Sequence, residues 1–161
     1  MRLQSRELMD ITAQFPELGS LADLADGIVL DGELVAMLEG KPNLAAIQRR
    51  VALRDRNRIE LLGKKSPVAY VVFDLLYLRG ESIMTKPLFE RRVALEEVVR
   101  EINGAPMILS EAVLTQGCDL FVSAQQLRQE GIMAKLLDGH YATGKRSGLW
   151  KKIKPRDLIQ D

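Results

Sequence analysis

Charged side chains interrupt several apolar segments of this sequence. Asp31 and Glu33 lie within one apolar, β-rich segment, Asp74 lies within the most apolar segment, and Lys135 directly follows Ile-Met-Ala. Burying a charge costs free energy unless the charge has a partner or a function. We therefore interpret these residues as candidates for a binding or catalytic site, although each one alone could be an ordinary surface charge.

Three further features suggest which ligand such a site could hold. Lys152 and Lys154 lie two residues apart on a predicted strand, so both project from one face and could hold a phosphate by point charge. Glu130, next to Gly131 and just before a predicted strand, could hold a metal ion or sugar hydroxyls. Phe73 could offer a flat surface to a base. Taken singly, Phe73 could equally be a core residue, the lysines an outward strand face, and Glu130 a helix-end charge.

The single cysteine and the single histidine exclude other classes of site. Cys118 alone cannot form an internal disulfide, and His140 alone cannot build a His- or Cys-rich zinc site. A Ser-His-Asp hydrolase is disfavoured because no nucleophile motif accompanies His140. The segment Gly139–Lys145 has the G-x-x-x-x-G-K spacing of a phosphate loop, but Arg146 stands where a Ser or Thr must bind magnesium. We therefore reject a P-loop.

Charge is balanced over the whole chain, with 23 Lys and Arg against 22 Asp and Glu, but it is unevenly distributed. Residues 139–156 contain lysines and arginines without an acidic residue, and the arginine-rich residues 49–58 contain only Asp55 as an acid. Two local positive surfaces indicate phosphate-bearing partners, although both could be solvated faces.

Length and hydropathy indicate one domain, or a piece of one, outside membranes. The chain has 161 residues, enough for one domain with its own core. Its most apolar segment, Val68–Leu78, contains Asp74 and is shorter than the roughly 20 residues that cross a bilayer. The N-terminus has no apolar signal core. We therefore expect a cytoplasmic protein with no membrane partner.

The elements that must position these residues alternate without repeats. Apolar, β-rich segments predict strands at Ile28–Leu38, Val68–Leu78, Ile132–Leu137 and Leu149–Ile153. Helical spacing of apolar residues predicts helices at Leu44–Leu62, Leu88–Ile102 and Cys118–Glu130. Val68–Leu78 is too continuously apolar to have an exposed face. Because strands and helices mix without regular βαβ spacing, we predict an α+β fold with mainly antiparallel sheets flanked by helices.

Six short motifs in fixed order carry a resemblance to a known family. They are Asp31-Gly-Glu-Leu34, Phe73-Asp-Leu-Leu-Tyr-Leu78, Leu88-Phe-Glu-Arg-Arg92, Glu130-Gly-Ile-Met-Ala-Lys135, Tyr141-x-x-Gly-Lys-Arg-Ser147 and Trp150-Lys-Lys-Ile-Lys154. Together they resemble the adenylation (nucleotidyltransferase) domain of ATP-dependent DNA ligases, of the type found in bacterial and archaeal end-joining systems. The resemblance covers nearly the whole of residues 1–161 and implies an incomplete domain of that fold.

The resemblance implies a role for each motif residue. Glu33 would bind the ribose, Phe73 would stack on adenine, Glu130 would lie beside the catalytic metal, and Lys152 and Lys154 would hold the α-phosphate. Lys135 shares the motif of Glu130 and would belong to the nucleotide site, while Arg6 and Arg146 would contact phosphates of the nucleotide or of the nicked strand. The implied cofactors are ATP, through its AMP moiety, and Mg²⁺. The implied partner is nicked double-stranded DNA in repair and recombination.

The sequence departs from this family at the nucleophile. The family motif K-x-D-G-x-R normally precedes a segment like Ser5-Arg6, and no lysine of the 161 residues lies in that motif. We therefore expect that the chain cannot form lysyl-AMP alone. We also expect that the oligonucleotide-binding-fold domain found after this domain in the family is missing. Three hypotheses stay open: part of a ligase whose partner chain supplies the lysine and that domain, a catalytically dead nucleotide- or nicked-DNA-binding relic, and the product of a degenerate coding region.

Overall fold

The computed structural model describes residues 1–38, 40–101, 106–127, 129–144 and 147–155. Within these ranges the α-helices are α1 (Leu44–Val51), α2 (Arg56–Lys65), α3 (Leu88–Arg100) and α4 (Gly117–Gln126). The strands there are β1 (Val29–Leu38), β2 (Lys41–Pro42), β3 (Val68–Leu78), β4 (Glu81–Ser82), β5 (Met107–Leu109), β6 (Ile132–Lys135) and β7 (Trp150–Ile153). Two 3-10 segments, Thr12–Gln14 and Pro16–Asp23, precede β1.

The strands form a larger and a smaller sheet. The larger sheet has the order β2-β1-β3-β4, and β5 also pairs with β3. The long β1–β3 pairing is antiparallel, as is the β6–β7 pairing that makes the smaller sheet. Only the three-residue pairing of β5 with β3 is parallel among the described pairings. The predicted α+β fold with mainly antiparallel sheets is therefore confirmed.

Strand β3 is the centre of the larger sheet, as its apolar sequence predicts. Its observed bounds, Val68–Leu78, match the prediction, and no residue of the strand is exposed. Val72 and Leu75 pack in a core with Leu95 and Val98 of α3. A second core joins the N-terminal 3-10 segments to α1 and to Ala36 of β1. One face of the sheet is thus covered by helices.

The pairing of β1 with β3 is irregular at Phe73. Asp31 pairs with Asp74 and the next residue, Gly32, pairs with Val72, so Phe73 is an extra residue in β3. Bulges of this kind are frequent beside active sites because they redirect a side chain. On β1, Leu30, Leu34 and Ala36 pack in the cores, so Asp31 and Glu33 lie on the opposite face.

The predicted helix Leu44–Leu62 is wrong, because the structure has two helices there. Asn43 caps α1 by accepting a hydrogen bond from the backbone N–H of Ala46 at 2.9 Å. Asp55, in an extended conformation, caps α2 by accepting one from the N–H of Arg58 at 2.9 Å. An extended residue cannot continue a helix, and its carboxylate satisfies a free donor at the start of the next one.

The other predicted elements differ from the structure at their ends. The predicted helix Cys118–Glu130 is wrong at its C-terminus, where α4 stops at Gln126 and Glu130 lies outside it. Helix α3 ends at Arg100, and residues 102–105 lie outside the described ranges. The last two strands are one or two residues shorter than predicted. Among the helices of the described ranges, none combines the length and apolar character needed to span a membrane.

Candidate functional site

The β6–β7 hairpin collects the basic candidates on one face. Lys135 pairs with Trp150, and Met133 pairs with Lys152. Residues directly opposite in an antiparallel pair share a face, and alternation puts Lys154 on the same side as Lys152. The predicted common face of the two lysines therefore also carries Lys135 and the indole of Trp150.

This face packs against the bulge of β3. The Lys135 ammonium lies 3.7 Å from the centre of the Trp150 ring and 4.5 Å from that of Phe73. It also donates a long hydrogen bond of 3.4 Å to the backbone carbonyl of Phe73. The rings of Phe73 and Trp150 meet edge to face at 5.9 Å. The structure thus brings Phe73 and Lys135 together, and Trp150 is a third member to which the sequence assigned no role.

The electrostatics of Lys135 follow from this packing. Burial among the two rings lowers the pKa of the Lys135 ammonium to about 8, while the nearby carboxylates of Asp74 and Asp31 act in the opposite direction. Burial removes water from the ammonium group, which destabilises its charged form. The aromatic faces and the nearby carboxylates partly offset this cost.

Asp31 ties β1 to the loop between β6 and β7. The Tyr141 hydroxyl donates a hydrogen bond of 2.7 Å to the Asp31 carboxylate, and the Tyr141 ring lies edge to face with Trp150 at 5.7 Å. Burial raises the pKa of the Asp31 carboxyl, although the Tyr141 hydrogen bond opposes the rise. Glu33 lies two residues further along the same face of β1 and is exposed to solvent.

Asp74 has a structural partner that the sequence analysis missed. Its carboxylate accepts hydrogen bonds from Nε and Nη2 of Arg91 at 2.7 and 2.9 Å, and both side chains are fully buried. Arg91 also donates to the backbone carbonyls of Lys86 and Gly139. The signal was present in the sequence, since Arg91 interrupts the apolar stripe of α3 formed with Leu88 and Leu95.

Glu130 lies between the two lysines assigned to the phosphate. Its Oε2 accepts a hydrogen bond from Lys152 Nζ and its Oε1 accepts one from Lys154 Nζ, both at 2.6 Å. These ammonium groups lower the pKa of the exposed Glu130 carboxyl to about 2. Gly131 follows with φ 138°, and a Cβ there would lie 2.1 Å from the carbonyl oxygen of Ile153. Only glycine fits this approach, which holds Glu130 beside the end of β7.

The structure describes only one of the two arginine candidates. Arg6 is exposed in a turn whose hydrogen bonds join Ser5 to Leu8 and Met9, far along the chain from the hairpin. Arg146 lies outside the described residues.

Two cavities of the described part of the chain lie away from most of the candidates. A cavity of about 590 Å³ lies between the N-terminal segment and α1, near Gln14 and Arg54. A second cavity of about 60 Å³ is lined by Glu33, Asn43 and neighbouring residues. Neither includes Phe73 or the lysines. In this conformation the hairpin face and the β3 bulge fill the space between them with their own side chains.

Known DNA ligases are similar to this chain over nearly all of its length. A family model described as "ATP dependent DNA ligase domain" matches residues 1–154. The DNA ligase of Methanoculleus marisnigri is 36% identical in an alignment of 157 positions that covers 96% of this chain and 28% of that protein. The SPbeta prophage-derived DNA ligase-like protein LigB of Bacillus subtilis is 35% identical in an alignment of 156 positions that covers 95% of this chain and 53% of that protein.

Comparison with solved structures indicates the same family. The ligase domain of M. tuberculosis LigD superposes with a TM-score of 0.74 at 32% identity, covering 95% of this chain and 46% of that one. Mycobacterial DNA ligase D complexed with ATP and MES gives a TM-score of 0.72 at 31% identity, covering 95% of this chain and 47% of that one. This chain therefore spans about half or less of the proteins that it matches. With the family model matching nearly its whole length, this chain belongs to the ATP-dependent DNA ligase family.

Proposed function

We propose that this chain supplies the adenylate-binding core of a DNA ligase that seals nicks in duplex DNA during repair and recombination. The observation that carries the proposal is the single hairpin face on which Lys135, Lys152 and Lys154 lie together, packed against the bulge at Phe73. An aromatic ring at one end of this face and two ammonium groups at the other suit the base and the phosphate of one nucleotide.

In this proposal each group binds a different part of AMP. Phe73 stacks on the adenine, a contact to which base–aromatic stacking contributes about 1–3 kcal/mol per base. Glu33, exposed on the face of β1 that also carries Asp31, accepts hydrogen bonds from the ribose hydroxyls. Lys152 and Lys154 hold the α-phosphate as two point charges. Lys135 lies between the base and phosphate positions and adds a third positive charge near the nucleotide.

Mg²⁺ fits this chain only together with the nucleotide. No cluster of three or more His, Cys, Asp or Glu side chains that could cage a metal is present among the described residues. Magnesium in phosphoryl-transfer sites commonly uses one or two carboxylates, phosphate oxygens and water, so Glu130 suits it as a single protein ligand. When bound, the ion would neutralise charge on the phosphates.

The proposed chemistry is transfer of AMP to the 5′-phosphate of a nick, followed by attack of the 3′-hydroxyl and release of AMP. Lys152 and Lys154 stabilise the charge on the phosphate oxygens as each bond to phosphorus breaks. Arg6 and Arg146 contact phosphates of the nucleotide or of the nicked strand. The lysine that first takes AMP from ATP lies outside this sequence, on a longer form of the chain or on a partner that also carries the oligonucleotide-binding-fold domain.

A nick that already carries 5′-AMP tests this proposal directly, because it needs no nucleophilic lysine. We expect the purified chain with MgCl₂ to seal it slowly, and Lys154→Ala to abolish sealing. Lys64→Ala, at the end of α2, is the matched control and should seal like wild type. Sealing that is insensitive to Lys154→Ala would contradict the assigned phosphate contact.

A binding role without catalysis is the second candidate, because no lysine in this sequence lies in a K-x-D-G motif. It predicts AMP or nicked-DNA binding that depends on Lys154, but no sealing of the adenylylated nick. Incubation of the chain with labelled ATP tests whether the chain can adenylylate itself. An acid-stable label on the chain would show that it contains its own nucleophile.

A further inference from the structure

The carboxylate of Glu130 binds Lys152 and Lys154, here called the lysine pair, in the way that a phosphate would. Each of its two oxygens takes a different ammonium group, Lys152 on Oε2 and Lys154 on Oε1, both at 2.6 Å. Two anionic oxygens spread between two lysines are also what the proposed α-phosphate contact requires. The carboxylate and a phosphate therefore compete for the same donors.

The contacts of Glu130 can exchange without disturbing the core. The side chains of Glu130, Lys152 and Lys154 are 68%, 43% and 56% exposed. By contrast, the Arg91–Asp74 pair is fully buried. Exposed ion pairs of single charges are weak, so a phosphate carrying more charge can displace the carboxylate.

Gly131 keeps Glu130 close enough to compete. Its φ of 138° and the close approach of the Ile153 carbonyl leave no room for a side chain, which fixes the backbone of Glu130 beside β7. The competing carboxylate is thus held at a high local concentration by the fold.

We propose that Glu130 is an internal competitor that closes the lysine pair in the absence of nucleotide, and that a divalent cation opens the pair by binding the released carboxylate. This inference rests on the proposed role of Lys152 and Lys154. The phosphate takes both ammonium groups, the carboxylate becomes free, and the cation stabilises it there. Cation and nucleotide phosphate then raise each other's affinity by the same factor, as linkage requires.

Calorimetric titration of the purified chain with AMP tests this coupling without any activity measurement. In EDTA, Glu130→Gln should bind AMP about three- to tenfold more tightly than wild type, because a neutral amide competes less well than a carboxylate for exposed lysines. MgCl₂ should raise the AMP affinity of wild type and leave that of Glu130→Gln nearly unchanged.

Glu60→Gln is the matched control, since it removes the same charge from an exposed ion pair with Arg56 on α2. It should bind AMP like wild type with and without MgCl₂. If Glu130→Gln binds AMP no more tightly than wild type in EDTA, the internal competition is refuted while the proposed function stands. If wild type does not bind AMP, or binds it as Lys152→Ala does, the proposed function fails first and this inference fails with it.

Discussion

Arg91 and Asp74 form a two-point ion pair with no solvent exposure, joining α3 to the central strand one residue after the bulge at Phe73. The same guanidinium donates to the carbonyl of Gly139, in the loop that follows β6. One side chain thus connects the larger sheet, the helix that covers it and the hairpin that carries the lysines. Arg91 thus contributes one of the hydrogen bonds that hold the hairpin loop in place.

Arg91→Met should destabilise the fold strongly. It leaves the Asp74 carboxylate buried without its counterion, which typically costs about 3–5 kcal/mol of unfolding free energy. Urea denaturation followed by circular dichroism measures the loss. Arg100→Met is the control, because the Arg100 side chain is 73% exposed and its contact with Glu96 is 3.6 Å long, so it should cost less than about 1 kcal/mol. Equal losses in the two variants would show that the buried pair has no special importance.

Phe73→Leu should weaken AMP binding about five- to 150-fold while leaving the fold intact, because it removes an aromatic face worth about 1–3 kcal/mol per stacked base. Calorimetry measures the dissociation constant. Phe89→Leu on α3, where the Phe89 side chain is exposed, should leave binding unchanged. AMP affinity that survives Phe73→Leu would remove Phe73 from the nucleotide site.

Stability should depend on pH through Lys135. Its pKa falls from 10.5 in the unfolded chain to about 8 in the fold because burial disfavours the ammonium form. Between these two values the unfolded chain binds more protons than the folded one, so the unfolding free energy contributed by this group rises with pH. The penalty of burying the charge is fully present below about pH 8.

The comparison of wild type with Lys135→Met isolates this contribution. The difference in unfolding free energy between the two should shift in favour of wild type as the pH rises from about 8 to 10. Lys151→Met, at an exposed position on the other face of β7, should show no such shift. A pH-independent difference for Lys135→Met would place its pKa near the ordinary value.

Gly131→Ala should disturb the hairpin, because a Cβ would lie 2.1 Å from the Ile153 carbonyl oxygen. A residue forced into such a backbone conformation typically costs about 1–3 kcal/mol. Gly148→Ala provides the control, since a Cβ at Gly148 would meet no atom within 4 Å. Thermal unfolding of the two variants should separate them, and equal midpoints would mean that the hairpin relaxes around the added methyl group without cost.

The four predicted strands follow directly from local sequence. Continuous or β-branched apolar segments specify β1, β3, β6 and β7, and the structure changes their ends by two residues or fewer. The break between α1 and α2 was missed because the capping role of Asp55 competes with an apolar spacing that suggests one helix. The strand β5 was missed because three residues carry too little pattern, and its pairing with β3 is set by packing across the sheet.

In the candidate site, too, the features set by neighbouring residues could be predicted from the sequence, whereas the partners that are distant in sequence could not. The spacing of Lys152 and Lys154 predicts a shared face, because strand alternation is a local property. Their partner Glu130 lies more than twenty residues away, so no spacing rule reveals that it pairs with both. Asp74 was recognised as a charge needing a partner, but the choice of Arg91 depends on how α3 crosses the sheet.

The extra residue at Phe73 interrupts the regular pairing of β1 with β3, and the same irregularity presents the aromatic side chain of the candidate site. Without it, the register shift between Asp31 and Gly32 would disappear, and the hairpin would lose the aromatic side chain against which Lys135 and Trp150 rest. Variants selected only for a more regular, more stable sheet are therefore expected to lose this position, and with it the aromatic surface proposed to bind the base.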